Sequence, residues 1–167
     1  MTKRELKSKV GELEKELEKF KKELSKVDDD PYGDLSDQRY FYIAGNGNVS
    51  NIDNTGCYVD KTYYRNANYF SDEDFAKKVA AEQTLTNLLR KYTYEHGWSD
   101  DMWDNENSKC NIRYNTRNLR FEVDVNQFFN YVNAVYFIDG KTAIHAIKEV
   151  VIPFVKEHPE LGYELSD

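Results

Sequence analysis

The 167-residue chain carries 23 Lys and Arg against 30 Asp and Glu, a formal charge of −7 with a pI near 5.1. That balance excludes the broad basic face by which nucleic-acid binders are recognised, so no direct nucleic-acid contact is expected. No 18-residue apolar run could span a bilayer, the charged first residues form no secretory leader, and Cys57 and Cys110 lack CxxC spacing. The expectation is a cytoplasmic protein without membrane contact, disulfide framework, zinc site or cofactor. The charge is uneven: residues 1–27 hold nine Lys/Arg and six Glu, whereas the remainder holds fourteen against twenty-four acids. A basic stalk joined to an acidic body describes this best.

Leu6, Val10, Leu13, Leu17, Phe20, Leu24 and Val27 recur at alternating intervals of four and three, a heptad seam. A lone helix of this length is marginal in water, so the seam needs a partner. Burying seven such side chains, at roughly 1.5–3 kcal/mol each before ordering costs, outweighs exposed charge pairs worth a few tenths. Those pairs set orientation: in a parallel dimer Lys9 would face Glu14 of the partner, and Glu16 would face Lys21. Residues 1–27 are therefore assigned to oligomerisation, a parallel dimer being preferred. A higher oligomer, a fold-back onto the body and a hetero-partner stay open. Residues 28–38, rich in Asp with one Pro and one Gly, form an acidic linker.

The body is expected over 39–167. RYFYI opens a strand at Arg39–Ile43, and Gly45-Asn46-Gly47-Asn48 turns it into a hairpin with Val49–Asp53. A short strand is predicted near Cys57–Val59, a loop over Lys61–Asn66 and another strand at Ala67–Phe70. Ser71 should cap a helix running to about Glu95, burying Phe75, Val79, Leu85, Leu88, Leu89 and Tyr92 and ending at Gly97. After a polar loop, Trp98–Ser108, two alternating runs form a second hairpin: Cys110, Ile112, Tyr114, then Leu119, Phe121, Val123, Val125. A strand at Ala134–Ile138 leads into a last helix burying Ile144, Ile147, Val151 and Phe154. Pro153 leaves the Glu149 carbonyl without a donor, so a break or kink is predicted there.

Tyr69-Phe70 before a helix carrying Ala76 matches Tyr136-Phe137 before a helix carrying Ala143, at equal spacing. The body thus reads as a hairpin–strand–helix duplication. The fold class expected is α+β: a coiled-coil helix, then a small antiparallel sheet with two helices.

Little points to catalysis. His96, His145 and His158 form no ligand pair, and neither cysteine has a base nearby. Gly45-Asn46-Gly47 precedes no helix, so a phosphate cradle fails on context. Asp100, Asp101, Asp104 and Glu106 crowd one loop, but the third position counted from Asp100 is Met102 and no Gly follows, unlike a calcium loop. Joined to Trp98 and Trp103, these acids instead read as a partner-binding patch for a basic protein surface, unless the tryptophans simply pin the loop to the core.

Several stretches resemble a group of small, uncharacterised proteins from phages and prophages of Gram-positive bacteria. They are Tyr40-Phe41-Tyr42-Ile43 with Gly45 and Gly47, Asn68-Tyr69-Phe70-Ser71-Asp72-Glu73, His96-Gly97-Trp98 with Trp103-Asp104-Asn105-Glu106-Asn107, and Val135-Tyr136-Phe137. The acidic linker, in place of a lysine-rich lead, and Pro153 depart from that pattern. The group has no agreed catalytic residues, so none is transferred. The resemblance implies a phage accessory protein aimed at host machinery. The expected function is therefore non-enzymatic: a self-associating inhibitor of a host protein, such as a CRISPR-type defence component with a basic channel. The alternatives are a nucleotide-binding module acting as a signal sponge, a purely structural phage protein or, least supported, an enzyme.

Overall fold

Residues 9–17, 30–102, 108–126 and 131–165 are described by the computed structural model. The chain divides into two compact units, Met1–Pro31 and Tyr32–Asp167. In the first, residues 9–17 form a helix (α1) on which Val10, Leu13 and Leu17 are 52%, 59% and 55% exposed. Leu6, Phe20, Leu24 and Val27, the other seam positions, lie outside the described residues.

The second unit begins inside the expected linker, and its aromatic and amide side chains explain why. The Tyr32 ring lies 5.4 Å from Phe70 and 5.3 Å from Phe75. Asn54 donates to the Leu35 and Asp37 carbonyls at 2.7 and 3.1 Å. Acidic composition marked residues 32–38 as linker, but hydrogen bonds and ring contacts fold them onto the body.

Strands β1 (Arg39–Ile43) and β2 (Val49–Asp53) pair antiparallel, with Tyr40 opposite Ile52 and Ile43 opposite Val49. Gly47, at φ 84°, supplies the left-handed residue of their turn. Next comes a correction. Residues 58–65 are a helix, α2 (Tyr58–Arg65), where a strand and a loop were predicted. The Asp60 carboxylate, one turn in, accepts from the backbone N–H of Cys57 (2.9 Å) and Thr55 (3.0 Å), fixing the helix start. The strand expected at Ala67–Phe70 contracts to one bridge, Phe41 to Phe70.

Helix α3 (Glu73–Glu95) is capped by Asp72, not Ser71: its carboxylate accepts from the Phe75 N–H at 2.6 Å. Its first turns pack on β1 and β2, where Phe75 meets Phe70 with ring centroids 6.0 Å apart. Further along, Ala81 joins Val151, Val155 and Leu161, whereas Tyr92 joins Cys110, Phe137 and Ala143. One helix thus serves several contacts around its circumference, and Leu88, expected inside, is left 40% exposed.

Strands β3 (Lys109–Asn115) and β4 (Arg120–Asn126) pair as the alternation predicts, Cys110 opposite Val125, Ile112 opposite Val123 and Tyr114 opposite Phe121. Short β5 (Tyr136–Phe137) adds to β3, giving the order β4-β3-β5. Asp139 then caps α4 (Gly140–Ala146), accepting from Thr142 N–H at 2.7 Å. That phase turns Ala143, Ala146 and Ile147 inward, so Ile144, about 100° around the helix from Ala143, is exposed. Pro153 does not break the chain. A π-helical turn at Ile147–Val151, closed by Ile152 N–H to the Ile147 carbonyl, precedes α5 (Ile152–Glu157), with proline in its first turn where the missing N–H costs least.

The body is α+β, and its internal resemblance is structural. In each half the first strand of a hairpin pairs antiparallel with a Tyr-Phe dipeptide, through Phe41–Phe70 and through Cys110–Phe137. Each dipeptide is followed by an aspartate cap and then a fully buried alanine, Ala76 or Ala143.

Candidate groove at the end of helix α3

His96-Gly97-Trp98 stops α3 and delivers the tryptophan. Gly97 adopts φ 92°, a left-handed conformation that side-chain-bearing residues enter at a cost. The turn lets Gly97 N–H reach the Tyr94 carbonyl (3.3 Å) and Trp98 N–H the Thr93 carbonyl (3.0 Å), the paired bonds of a Schellman end. Trp98 is thereby tucked in, only 9% exposed, with its ring centroid 6.2 Å from that of Tyr136. Buried Thr93 ties helix to strand by donating its hydroxyl to the Tyr136 carbonyl at 2.6 Å. On the other side, the Tyr131 N–H donates to the Tyr136 hydroxyl (2.7 Å), and Asn133, at φ 65°, turns the chain back toward β5.

Between helix end and loop lies a cavity of about 600 Å³, walled by Trp98, Tyr94, Tyr131 and Val132, with Arg90 at one side. A smaller cavity of about 420 Å³ runs on along α3 past Gln83, Thr86 and Asn87 and shares Arg90 and Asn133. The lips are unusually apolar for a surface: Val132 is 91% exposed, Tyr94 50% and Tyr131 49%. Among the described residues Arg90 forms no ion pair and is the only charged one lining the larger cavity. Among the described residues lining that cavity there is no carboxylate, imidazole or thiol. This chemistry suits stacking, apolar contact and one anionic or carbonyl group.

Of the residues expected at a partner surface, Trp98 forms the groove wall and is largely buried, Asp100 belongs to a 3₁₀ turn at Asp100–Met102, and Asp101 is exposed, accepting from the Ser99 hydroxyl. Trp103, Asp104 and Glu106 lie outside the described residues. Sequence reasoning missed Arg90 and the Tyr131–Val135 wall. The available signal was the apolar content of the 126–133 connection, where Tyr131-Val132 follows Phe128-Phe129 between asparagines.

A second polar centre, away from the groove, was also unforeseen. Asp60, 1% exposed, accepts from the Tyr40 hydroxyl at 2.8 Å and the Thr55 hydroxyl at 3.1 Å besides its two backbone donors. The Tyr40 hydrogen bond, aided by those from Cys57 and Thr55, holds this carboxyl well below the usual range. Burial, and then the neighbouring carboxylate, push the Tyr40 phenol far up. Tyr40 stacks on Tyr69 at 3.8 Å, and Tyr42 on Tyr63 at 4.7 Å. Every Asp60 partner is a donor already in use, so this is a structural clamp.

The remaining candidates are quiet. His96 and His158 end helices α3 and α5, stacked on Tyr92 and Phe154. Cys110 is buried and its thiol is pushed up by burial, whereas Cys57 is exposed at the start of α2. Among the described residues no cluster of three or more His, Cys, Asp or Glu could hold a metal, and no helix is long and apolar enough to cross a membrane. No protein-family model, curated protein or solved structure matches the chain.

Proposed function

We propose that this is a non-enzymatic phage accessory protein that self-associates through its N-terminal helix and inhibits a basic host protein, acting in the host cytoplasm. A defence component of the CRISPR type is the target class in view. The observation that carries the docking step is the groove, where exposed Tyr94, Tyr131 and Val132 rim a wall formed by buried Trp98. Large amphipathic rings around an apolar pocket supply most of the binding energy at protein interfaces. The acidic body biases the choice toward a basic partner and speeds encounter. The exposed Val10, Leu13 and Leu17 support the pairing step, since two bodies on one stalk gain avidity for a symmetric target.

Affinity capture from host extract, followed by mass measurement of the purified complex, tests this directly. A stoichiometric protein partner, lost with Val132→Asp and Tyr131→Ala together, is the expected result. Capture unchanged by those substitutions would remove the groove from the proposal. Arg90 between aromatic walls also favours a second reading, a nucleotide-binding module. A nucleotide that raises the melting temperature of the wild type but not of Arg90→Gln would select that reading instead.

A further inference from the structure

Far from α3's end along the chain, a cavity of about 760 Å³ opens between the start of β4, helix α5 and the C-terminal segment. Its size falls within the roughly 300–1,000 Å³ typical of small-molecule sites. Phe121, Ile147, Ile152 and Val155 form an apolar interior, residues Ile147 and Val155 being 8% and 4% exposed. Two cations line it from opposite elements, Arg120 on β4 and Lys156 on α5, against one carboxylate, Glu164. Arg120 is already held by Glu122 at 3.1 Å, whereas Lys156 forms no ion pair among the described residues. Lys156, on α5 beside the apolar interior, is therefore the lining cation left to hold an anionic head group.

Backbone irregularity converges on the same walls. Leu119 sits at φ 51°, Gly162 at φ 72°, and Ile147 opens the π-helical turn. Left-handed non-glycine residues and π turns cost energy and concentrate where a fold is shaped around something. Phe121 of β4 and Leu165 of the C-terminal segment pack on the cluster that holds Val155 of α5, so the apolar floor is continuous.

We infer that this cavity binds a small amphipathic anion, an aliphatic chain seated on Phe121, Ile152 and Val155 with its carboxylate at Lys156. The site is independent of the groove beside Trp98. Titration calorimetry of the full-length chain with dodecanoate, below micelle formation, tests it. One-to-one binding is expected, with dodecylammonium at least about tenfold weaker, the scale of one charge-assisted hydrogen bond. Lys156→Glu, on an exposed position that leaves the fold intact by circular dichroism, should weaken dodecanoate by a similar factor. Ile152→Trp should abolish binding by filling the interior. Absence of binding, equal affinity for both head groups, or an unchanged Lys156→Glu would each overturn the inference. Co-sedimentation with phosphatidylglycerol vesicles, in place of one-to-one binding, would overturn it too and make this face a membrane-docking surface.

Discussion

The two hairpin–strand–helix halves of the body share one plan and use it differently. The first half is closed with rings and a buried carboxylate: Tyr40 lies on Tyr69, Tyr42 on Tyr63, and Asp60 gathers four donors. The second is filled by smaller side chains, Cys110, Ala143 and Ala146 around Phe137, and the cavities described above border it. The first half resembles a finished scaffold. In the second, irregular segments border the cavities: the Tyr131–Val135 turn at the groove and Ile147 of the π-helical turn at the other.

The largest expected effect tests whether the two halves are equivalent in the core. Phe70→Ala and Phe137→Ala each remove a fully buried ring, and each should destabilise by about 3–5 kcal/mol in denaturant unfolding. A loss below about 1 kcal/mol at either site would show that half is not held as its partner is.

Acid should separate the halves. Because the folded-state carboxyl of Asp60 lies below its unfolded value, its stabilisation is present above pH about 4 and fades as pH falls further. The stability gap between wild type and Asp60→Asn should therefore be widest near neutral pH and shrink toward pH 2. A constant gap would contradict the clamp.

A smaller loss is expected from Gly97→Ala, about 1–2 kcal/mol from the left-handed backbone, together with weakened partner capture as Trp98 loses its seat. Smallest are the caps. Asp72→Ala and Asp139→Ala should cost about 1 kcal/mol each, since each carboxylate caps the N–H three residues on at the same place in its half.

Patterns of period two were legible without coordinates. The β3–β4 hairpin follows from Cys110, Ile112 and Tyr114 alternating, and the duplication from Tyr-Phe before a capped helix. What was illegible came from single side chains. Asp60 starts the 58–65 helix with local donors, Cys57 and Thr55, a capping pattern passed over because position 57 is a cysteine rather than Ser or Thr. Only its Tyr40 partner is distant in sequence. Pro153 was correctly seen as a problem, but its solution lay in the turn before it. The face of α3 was misjudged at Leu88 because periodicity assumes one buried side, and this helix has several neighbours. In the groove, Trp98 was singled out by residue type, whereas Arg90 and Val132 gain meaning only once the 131–135 loop lies beside the helix end.

The proposal that matters most is pairing through the apolar face of α1. Light scattering of the full chain at micromolar concentration should return twice the 19.7 kDa chain mass, falling to a single chain in Leu13→Glu with Leu17→Glu. A single-chain mass for the unaltered protein would contradict it.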